Sequence, residues 1–247
     1  MTEREKAIEV KDLVKRFGAF VANDHLTFDV FRGEIFGFLG ANGAGKTTAI
    51  RILCGLSRPT SGKVTVAGID AGRPEEIKKR IGYMSQRFSL YEDLTVSENI
   101  ELYGGIYGMT MKEIRNRRED LLSRLSFNRY ADELIKSLPL GLRQKLAFAV
   151  AVFHDPEIVF LDEPTSGVDP ITRRQFWEMI YETASRGITV FVTTHYMDEA
   201  EYCDRVTIMN EGRIVALDTP AALKAGHGTQ SIAELFVKIA RPKTVAE

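Results

Sequence analysis

Residues 40 to 47 read Gly-Ala-Asn-Gly-Ala-Gly-Lys-Thr and match the pattern G-x-x-x-x-G-K-[ST] at every specified position. A short, largely apolar segment (34–39) precedes this run, and apolar residues at helical spacing follow it over 47–53. This context favours a phosphate-binding loop over an ordinary glycine-rich turn with a surface lysine. Glycines let the backbone curl around an anion, so that its N–H groups point inward at the positive end of the next helix. The segment is therefore predicted to bind the phosphates of a nucleotide.

The polar side chains of this loop have separate predicted roles. Lys46 supplies a positive charge for the β and γ phosphates, and the hydroxyl of Thr47 suits a Mg²⁺ ligand. Further nucleotide contacts are predicted for the rest of the loop and for the residue after it, namely Gly40, Ala41, Asn42, Gly43, Ala44, Gly45 and Thr48.

A second group of polar residues follows an apolar strand. Residues 158–161 are all apolar, and Asp162-Glu163-Pro164 comes directly after them. Ligands bind at the carboxyl edge of parallel sheets, so we expect Asp162 to hold Mg²⁺ opposite Thr47. We expect Glu163 to accept a proton from the water that attacks the γ-phosphate, a role worth roughly 10²–10⁴ in rate. An acidic strand end before a proline turn is the alternative, and the phosphate loop upstream favours the metal and base roles.

The apolar pattern along the chain predicts an α/β fold. Residues 7–31 alternate apolar and polar positions, with turn residues at Phe17-Gly18 and Asn23-Asp24, which predicts a short antiparallel β region. The unbroken apolar runs at 158–161 and 189–193 alternate with helical patterns. Such runs are typical of a parallel sheet that is buried on both faces.

Helical spacing dominates the middle of the chain, where Thr95-Val96-Ser97-Glu98 has the spacing of a capping box at a helix start. We therefore predict an α-helical subdomain inserted into the α/β core. The hypothesis is one domain over 1–247, comprising a core at 7–87 and 154–220, the helical subdomain at 88–153 and a helical tail at 221–247.

Composition excludes several classes of function. The 33 Lys and Arg residues balance 34 Asp and Glu residues, so the basic excess of a nucleic-acid binder is missing. No stretch approaches the ~20 apolar residues that cross a bilayer, and the charged start of the chain does not resemble a signal peptide. Cys54 and Cys203 lack the spacing of a metal site, so we expect two packing residues in a cytosolic chain.

Taken together, the phosphate loop and the acidic strand end resemble those of the ATP-binding cassette family, over roughly residues 7–220. Four more positions match family motifs in the same order. Phe17 resembles the aromatic residue that stacks on adenine, and Gln86 resembles the glutamine of the Q-loop. Asp169 ends a match to the D-loop, and His195 resembles the switch histidine after the last core strand.

The resemblance implies a P-loop nucleoside triphosphatase core that binds ATP and Mg²⁺. It implies that Gln86 coordinates Mg²⁺ or water and takes part in catalysis. His195 is implied to donate a hydrogen bond to the γ-phosphate. Asp169 is implied to face a partner subunit at the nucleotide, while its position before Pro170 also suits a helix cap.

One motif departs from the family pattern. The family signature is typically Leu-Ser-Gly-Gly-Gln, and the corresponding run here is Leu138-Pro139-Leu140-Gly141-Leu142. In the family this segment contacts the γ-phosphate held by the other subunit of a head-to-tail dimer, and Gly141 is the glycine that remains. Pro139 removes a hydroxyl and a backbone N–H, which predicts a weakened contact on a retained helix.

The resemblance implies the energising subunit of a membrane transporter, most similar to export cassettes of the multidrug type. Its implied partners are transmembrane permease subunits and a second cassette subunit, at the cytoplasmic face of the inner membrane. The aromatics Phe88, Tyr91, Tyr103 and Tyr107 are the expected docking surface. A soluble cassette ATPase acting on ribosomes or DNA is an alternative, as is a regulator that uses ATP only as a clamp. The single cassette and balanced charge disfavour the first, and Glu163 and His195 disfavour the second.

Overall fold

The structure is a computed structural model that describes residues 4–86 and 90–240. The strands are β1 Lys6–Phe17, β2 Phe20–Phe31, β3 Ile35–Gly40, β4 Ser61–Val66, β5 Ile69–Asp70, β6 Ile81–Met84, β7 Ile158–Asp162, β8 Thr189–Thr194, β9 Arg205–Asn210 and β10 Arg213–Asp218. The α-helices are α1 Lys46–Leu53, α2 Pro74–Lys78, α3 Val96–Ile106, α4 Met111–Arg124, α5 Leu140–Ala151, α6 Pro170–Ser185, α7 Pro220–His227 and α8 Ile232–Ala240.

The first sheet has four strands in the order β2-β1-β4-β5, and the described pairs in it are antiparallel. This confirms the predicted β region and its turn after Phe17. The predicted turn at Asn23-Asp24 is wrong, because both residues lie within β2. The ladder between β1 and β2 shifts register near this point, where Asp12 and His25 have φ angles of 54° and 55°. These irregularities bend the strand without ending it.

The second sheet has six strands in the order β10-β9-β3-β8-β7-β6. Its strands pair in parallel except for the β9–β10 hairpin, which turns at the predicted Glu211-Gly212. The predicted mostly parallel sheet is therefore confirmed. The strands β3, β7 and β8 are buried along their whole length, as their unbroken apolar runs predicted.

Apolar side chains project from both faces of the parallel sheet and form two hydrophobic clusters, one on each face. Phe36, Phe160 and Phe191 point to one face, where they pack with the antiparallel sheet and α1. Val159 and Val190 point to the other face, where they pack with helices that include α3, α5 and α6. The alternation follows from the period of two along a strand.

Helix α3 begins where the capping-box spacing predicted a helix start. Thr95 is the N-cap of α3, and its side chain and that of Glu98 form the reciprocal bonds of a capping box.

Both cysteines are buried, which confirms the predicted packing role. Phe88 and residues 241–247 of the predicted tail lie outside the described residues. No helix within 4–86 and 90–240 has the length and hydropathy required to cross a bilayer.

Helix α5 lies unusually close to the edge strand β6. A Cβ atom added to Gly82 in β6 would lie 1.9 Å from the carbonyl oxygen of Ala151, at the C-terminal end of α5. No side chain fits in that space, so glycine is required for this helix end to rest on the strand.

Candidate active site

The phosphate loop joins β3 to α1 and is held by two other parts of the chain. The side-chain amide of Asn23, in β2, donates a hydrogen bond to the carbonyl of Gly45 at 3.1 Å. On the other side, the N–H of Gly212 in the β9–β10 turn donates to the carbonyl of Ala44 at 3.1 Å. The loop is therefore fixed between the two sheets before α1 begins. Helix α1 has Gly45 as its N-cap and no side-chain cap among the described residues, so its first N–H groups suit an anion.

Lys46 is buried, with 4% of its surface exposed. Its ammonium group donates to the carbonyls of Gly40 and Ala41 at 2.7 and 3.2 Å, and lies 3.3 Å from Oε1 of Glu163. The loop's own carbonyls thus hold this charge between the glycine backbone and the acidic strand end.

Asp162 ends β7 and is almost fully buried. Its Oδ1 accepts hydrogen bonds from Oγ1 of Thr193 at 2.6 Å and, more weakly, from Oγ1 of Thr47 at 3.4 Å. Its Oδ2 is buried and has no hydrogen-bond partner among the described residues. Burial raises the pKa of Asp162, against the lowering effect of the two hydroxyls. A cation would compensate for this cost of burying a carboxylate.

Three side chains from separate parts of the chain meet at the carboxylate of Glu163. Its Oε2 accepts a hydrogen bond from Nε2 of Gln86 at 3.1 Å and lies 3.0 Å from Nδ1 of His195, while Lys46 contacts Oε1. The sequence predicted each of these residues separately. The structure brings them together around one carboxylate.

A cavity of about 370 Å³ opens beside these groups. It is lined by residues of the phosphate loop and its surroundings, namely Phe20, Ala22, Asn42, Gly43, Gly45, Lys46, Thr47, Thr48, Gln86 and Glu163. Phe17, Gly141 and Asp169 are not among these residues. Phe17 and Phe20 are direct cross-strand partners at the β1–β2 turn, and both rings are more than half exposed. Of these two aromatic side chains, Phe20 is the one that lines the cavity beside the loop.

Two other predicted residues contact the first turn of α6, Asp169 as its N-cap and Gly141 from the start of α5. Asp169 accepts hydrogen bonds from the N–H groups of Ile171 and Thr172, each at 3.0 Å, which confirms its predicted cap role. Gly141 packs against the same turn, since a Cβ atom there would lie 2.8 Å from Cγ2 of Thr172. The helix after the altered signature is retained, as predicted, and Pro139 is its N-cap.

Sequence reasoning missed three residues that support this site: Phe20, Asn23 and Thr193. The hydroxyl of Thr193 bonds to Asp162 and also accepts from the N–H of Glu163 at 3.0 Å. Thr193 is the second-last residue of β8 and pairs with Asp162 in the parallel register, which is a feature of strand order and not of the local sequence. The role of Asn23 depends on how β2 crosses the loop, which no local pattern reveals.

The comparisons with known proteins agree with this geometry. Residues 23–166 match the model of the family described as ABC transporter. The chain is 47% identical over 225 residues to YbhF of Escherichia coli (strain K12), described as a probable multidrug ABC transporter ATP-binding protein, covering 91% of this chain and 39% of that protein. It is 38% identical to the Nod factor export ATP-binding protein I of Rhizobium sp. (strain N33), covering 93% of this chain and 76% of that protein.

Solved structures agree as well. The structure of an ATP-binding subunit of an ABC transporter superposes with a TM-score of 0.86 at 31% identity, covering 95% of this chain and 100% of that one. A dimeric ATP-binding cassette in a post-hydrolysis state, bound to ADP and phosphate, gives a TM-score of 0.78 at 26% identity, covering 86% and 98%. The chain spans only about two fifths (39%) of the length of YbhF. On the family match and on these relatives, the chain belongs to the ABC transporter family.

Proposed function

We propose that this chain is the ATP-binding and ATP-hydrolysing subunit of a membrane transporter, of the export type. The observation that carries the proposal is the meeting of Lys46, Gln86 and His195 at the carboxylate of Glu163, beside a phosphate loop. Two relatives, a probable multidrug ABC transporter ATP-binding protein and a Nod factor export ATP-binding protein, support export as the direction.

In this proposal the triphosphate lies along the loop, with Lys46 and the first N–H groups of α1 against its β and γ phosphates. Glu163 accepts a proton from the attacking water, and His195 and Gln86 orient the groups around it. The purine lies at the exposed aromatic pair of the β1–β2 turn. We assign stacking to Phe17, as its motif implies, with Phe20 lining the path from the base to the phosphates.

The residues present fit a magnesium ion. The unpartnered Oδ2 of buried Asp162 and the nearby hydroxyl of Thr47 are hard oxygen ligands, and the amide oxygen of Gln86 is a third candidate. When bound, Mg²⁺ would neutralise charge on the phosphates. Asp162 then serves to hold the ion. The hydroxyl of Thr193 donates a hydrogen bond to Oδ1 of Asp162 and so keeps the carboxylate of Asp162 oriented.

A second cassette subunit completes the site in this proposal. Gly141 and Asp169 do not line the cavity of their own chain, and both lie against Thr172 in the first turn of α6. Such a placement suits contact with a nucleotide held by another copy, and a related cassette was solved as a dimer. We further propose that the segment 88–153, described from residue 90 onward, is a helical subdomain beside a core comprising the described residues of 7–87 and 154–220, and that residues 221–240 of the tail pack on this core.

The partner of transport is a membrane-embedded permease, which places the chain peripherally at the cytoplasmic face of the membrane. An apolar cavity of about 360 Å³ supports a docking site there. It lies between β6, α2 and the end of α3, where Tyr107 and the exposed Leu56 and Ile106 line it. Tyr103 in α3 and the exposed Tyr91, which precedes this helix, continue the aromatic surface.

Calorimetry with MgATP tests the nucleotide site. Wild-type protein is expected to bind, and Lys46→Ala is expected to lose binding because the phosphates lose their buried positive charge. Lys63→Ala, which removes an exposed lysine in β4, is the matched control and should bind like wild type. Equal heats for all three proteins would overturn the proposed site.

Turnover tests the role of Glu163 separately. Glu163→Gln keeps the size of the side chain but cannot accept a proton, so we expect MgATP binding to persist while phosphate release falls by roughly 10²–10⁴-fold. The measurement is steady-state phosphate release by the two proteins at equal concentration. Wild-type turnover in the variant would remove Glu163 from the role of base.

A further inference from the structure

The ring of Tyr196 lies between the candidate catalytic histidine and an arginine of another element. Tyr196 follows His195, and the two ring centroids are 4.2 Å apart. On the tyrosine ring, the guanidinium carbon of Arg173 lies 4.0 Å from the centroid. This is well within the distance at which a cation is attracted to an aromatic face. Arg173 belongs to the first turns of α6, so the contact joins that helix to the segment that carries His195.

Arg173 is itself anchored by a buried acid. Glu199 is fully buried, and its Oε1 lies 3.7 Å from Nε of Arg173. The same oxygen accepts a hydrogen bond from Oγ1 of Thr165 at 2.6 Å. Thr165 lies two residues after Glu163, and Glu199 lies four residues after His195. The two segments that bring the base and the histidine together are therefore tied at one carboxylate.

We propose that Arg173 is a positioning residue for the hydrolysis site. Held by Glu199, its guanidinium supports Tyr196, and Tyr196 in turn holds the ring of His195 against Oε2 of Glu163. Arg173 donates its backbone N–H to the carbonyl of Asp169, the cap of the same helix. A movement of this helix start is thereby passed to His195 without any contact between Arg173 and the nucleotide.

The inference rests on the proposed ATP hydrolysis, and the test uses one measurement that needs turnover and one that does not. Tyr196→Leu removes the ring but leaves the pair of Arg173 and buried Glu199 intact, while Tyr196→Phe keeps the ring. We expect Tyr196→Leu to lower kcat for MgATP by roughly tenfold with KM nearly unchanged, and Tyr196→Phe to restore it. Unchanged kcat in Tyr196→Leu would overturn the proposal.

The second variant approaches the contact from the other side. Arg173→Lys keeps a positive charge beside Glu199 but loses the flat guanidinium. Its matched control is Arg174→Lys, whose exposed side chain pairs only with Glu178 among the contacts described. We expect a lower kcat for Arg173→Lys and wild-type kcat for Arg174→Lys. Equal effects of the two substitutions would also overturn the proposal.

The NMR signals of the histidine ring C–H groups give a measurement that is independent of turnover. The chain has 4 His, so the signal of His195 can be assigned by its loss in His195→Gln. We expect Tyr196→Leu and Arg173→Lys to shift this carbon–proton signal, and Tyr196→Phe and Arg174→Lys to leave it in place. If wild-type protein has no ATPase activity, the proposed function fails while this measurement still decides the inference. An unmoved His195 signal in both Tyr196→Leu and Arg173→Lys would refute the positioning role.

Discussion

Glu163 has a backbone conformation that few residues with side chains adopt. Its φ angle is 51°, in the left-handed region. The conformation is maintained because its N–H donates to both the carbonyl and the hydroxyl of Thr193, at 3.1 and 3.0 Å. Strain of this kind is often found at functional positions. Here it turns the chain sharply after β7, so that Asp162 and Glu163 reach different parts of the site.

Asp162 should make the stability of the ligand-free protein dependent on pH. Burial raises its pKa above the ordinary 3.8, so the folded chain holds this proton more tightly than the unfolded chain does. As the pH rises above 3.8, ionising the buried carboxyl costs free energy and the folded state loses stability. Asp162→Asn removes that cost, and its amide oxygen can still accept from Thr193. We therefore expect a higher Tm than wild type at pH 7.

The difference in Tm should shrink as the pH approaches the ordinary pKa, and thermal melts between pH 4 and 8 measure it. Asp132→Asn, at an exposed position before α5, is the control and should follow wild type throughout. Melts with MgATP should show the opposite order, because the variant would lose the oxygen ligand that we propose for Mg²⁺. A constant difference between variant and wild type at every pH would contradict the explanation.

The candidate site residues that the sequence identified belong to motifs with fixed internal spacing. Lys46, Asp162 and Glu163 were identified because each occupies a defined place relative to a strand end or a glycine turn. Thr193 and Asn23 were not, because their contacts join residues 31 and 22 positions apart in the chain. Their function depends on strand order, which a one-dimensional pattern does not contain.

At the scale of elements, the contact between α3 and the end of α5 combines an unusual pair. The ring of His154, just after α5, stacks on that of Tyr107, the C-cap of α3, with centroids 3.6 Å apart and an interplanar angle of 13°. Nε2 of His154 lies 3.2 Å from the carbonyl of Ile81, in β6. Burial lowers the pKa of His154 from 6.5 to about 4. The neutral ring therefore joins two helices to the edge strand of the parallel sheet.

This histidine should make the fold sensitive to acid. Between pH 6.5 and about 4 the unfolded chain binds a proton at His154 that the folded chain does not, so stability falls as the pH decreases through this window. The free energy of unfolding falls by about 3 kcal/mol over this window, at ~1.36 kcal/mol per unit of pKa shift. His154→Gln cannot titrate, and we expect a flatter pH dependence of the free energy of unfolding in urea. The exposed His25→Gln is the control, and an equally flat profile for it would contradict the assignment to His154.

Most strands and helix starts were predictable from the sequence. The prediction that was wrong, the turn at Asn23-Asp24, has a physical cause. Buried strands such as β7 and β8 have compositions that admit few other structures, and the capping box fixed the start of α3. The predicted turn at Asn23-Asp24 was wrong because turn-forming residues also occupy bulges. Within β2 the partner strand supplies the hydrogen bonds that keep the chain extended. Tertiary pairing therefore overrode a local signal.

At the scale of the whole molecule, the parallel sheet separates two environments. One face packs on the antiparallel sheet through an aromatic cluster, in which the ring of Phe191 lies 5.2–6.3 Å from those of Phe28, Phe36, Phe38 and Phe160. The other face packs on helices, whose buried side chains are both aliphatic and aromatic, such as Phe148, Phe176 and Trp177. The carboxyl ends of β3, β7 and β8 meet at one edge, so the site lies where both clusters end.

The altered signature gives a prediction for assembly. Restoring a hydroxyl and a backbone N–H with Pro139→Ser, in a Glu163→Gln background that retains ATP, should strengthen an ATP-dependent dimer. A hydrogen bond to a charged group corresponds to roughly tenfold or more in the dimer dissociation constant. Analytical ultracentrifugation with MgATP measures this constant, and the same runs with ADP are the control. An unchanged constant would show that residue 139 does not contact the other copy.

The close approach of α5 to Gly82 has a mechanical consequence. The last residue of α5, Ala151, packs directly on β6, so a rotation of the helix would be centred near Ala151. The helix has 12 residues, so it is about 18 Å long, and a tilt of about 5° would displace the opposite end by roughly 1.6 Å. Gly141 lies at that end, without free space against Thr172. Even a small tilt of α5 would therefore displace α6. The centre of this rotation is fixed by the glycine at residue 82, where no side chain would fit.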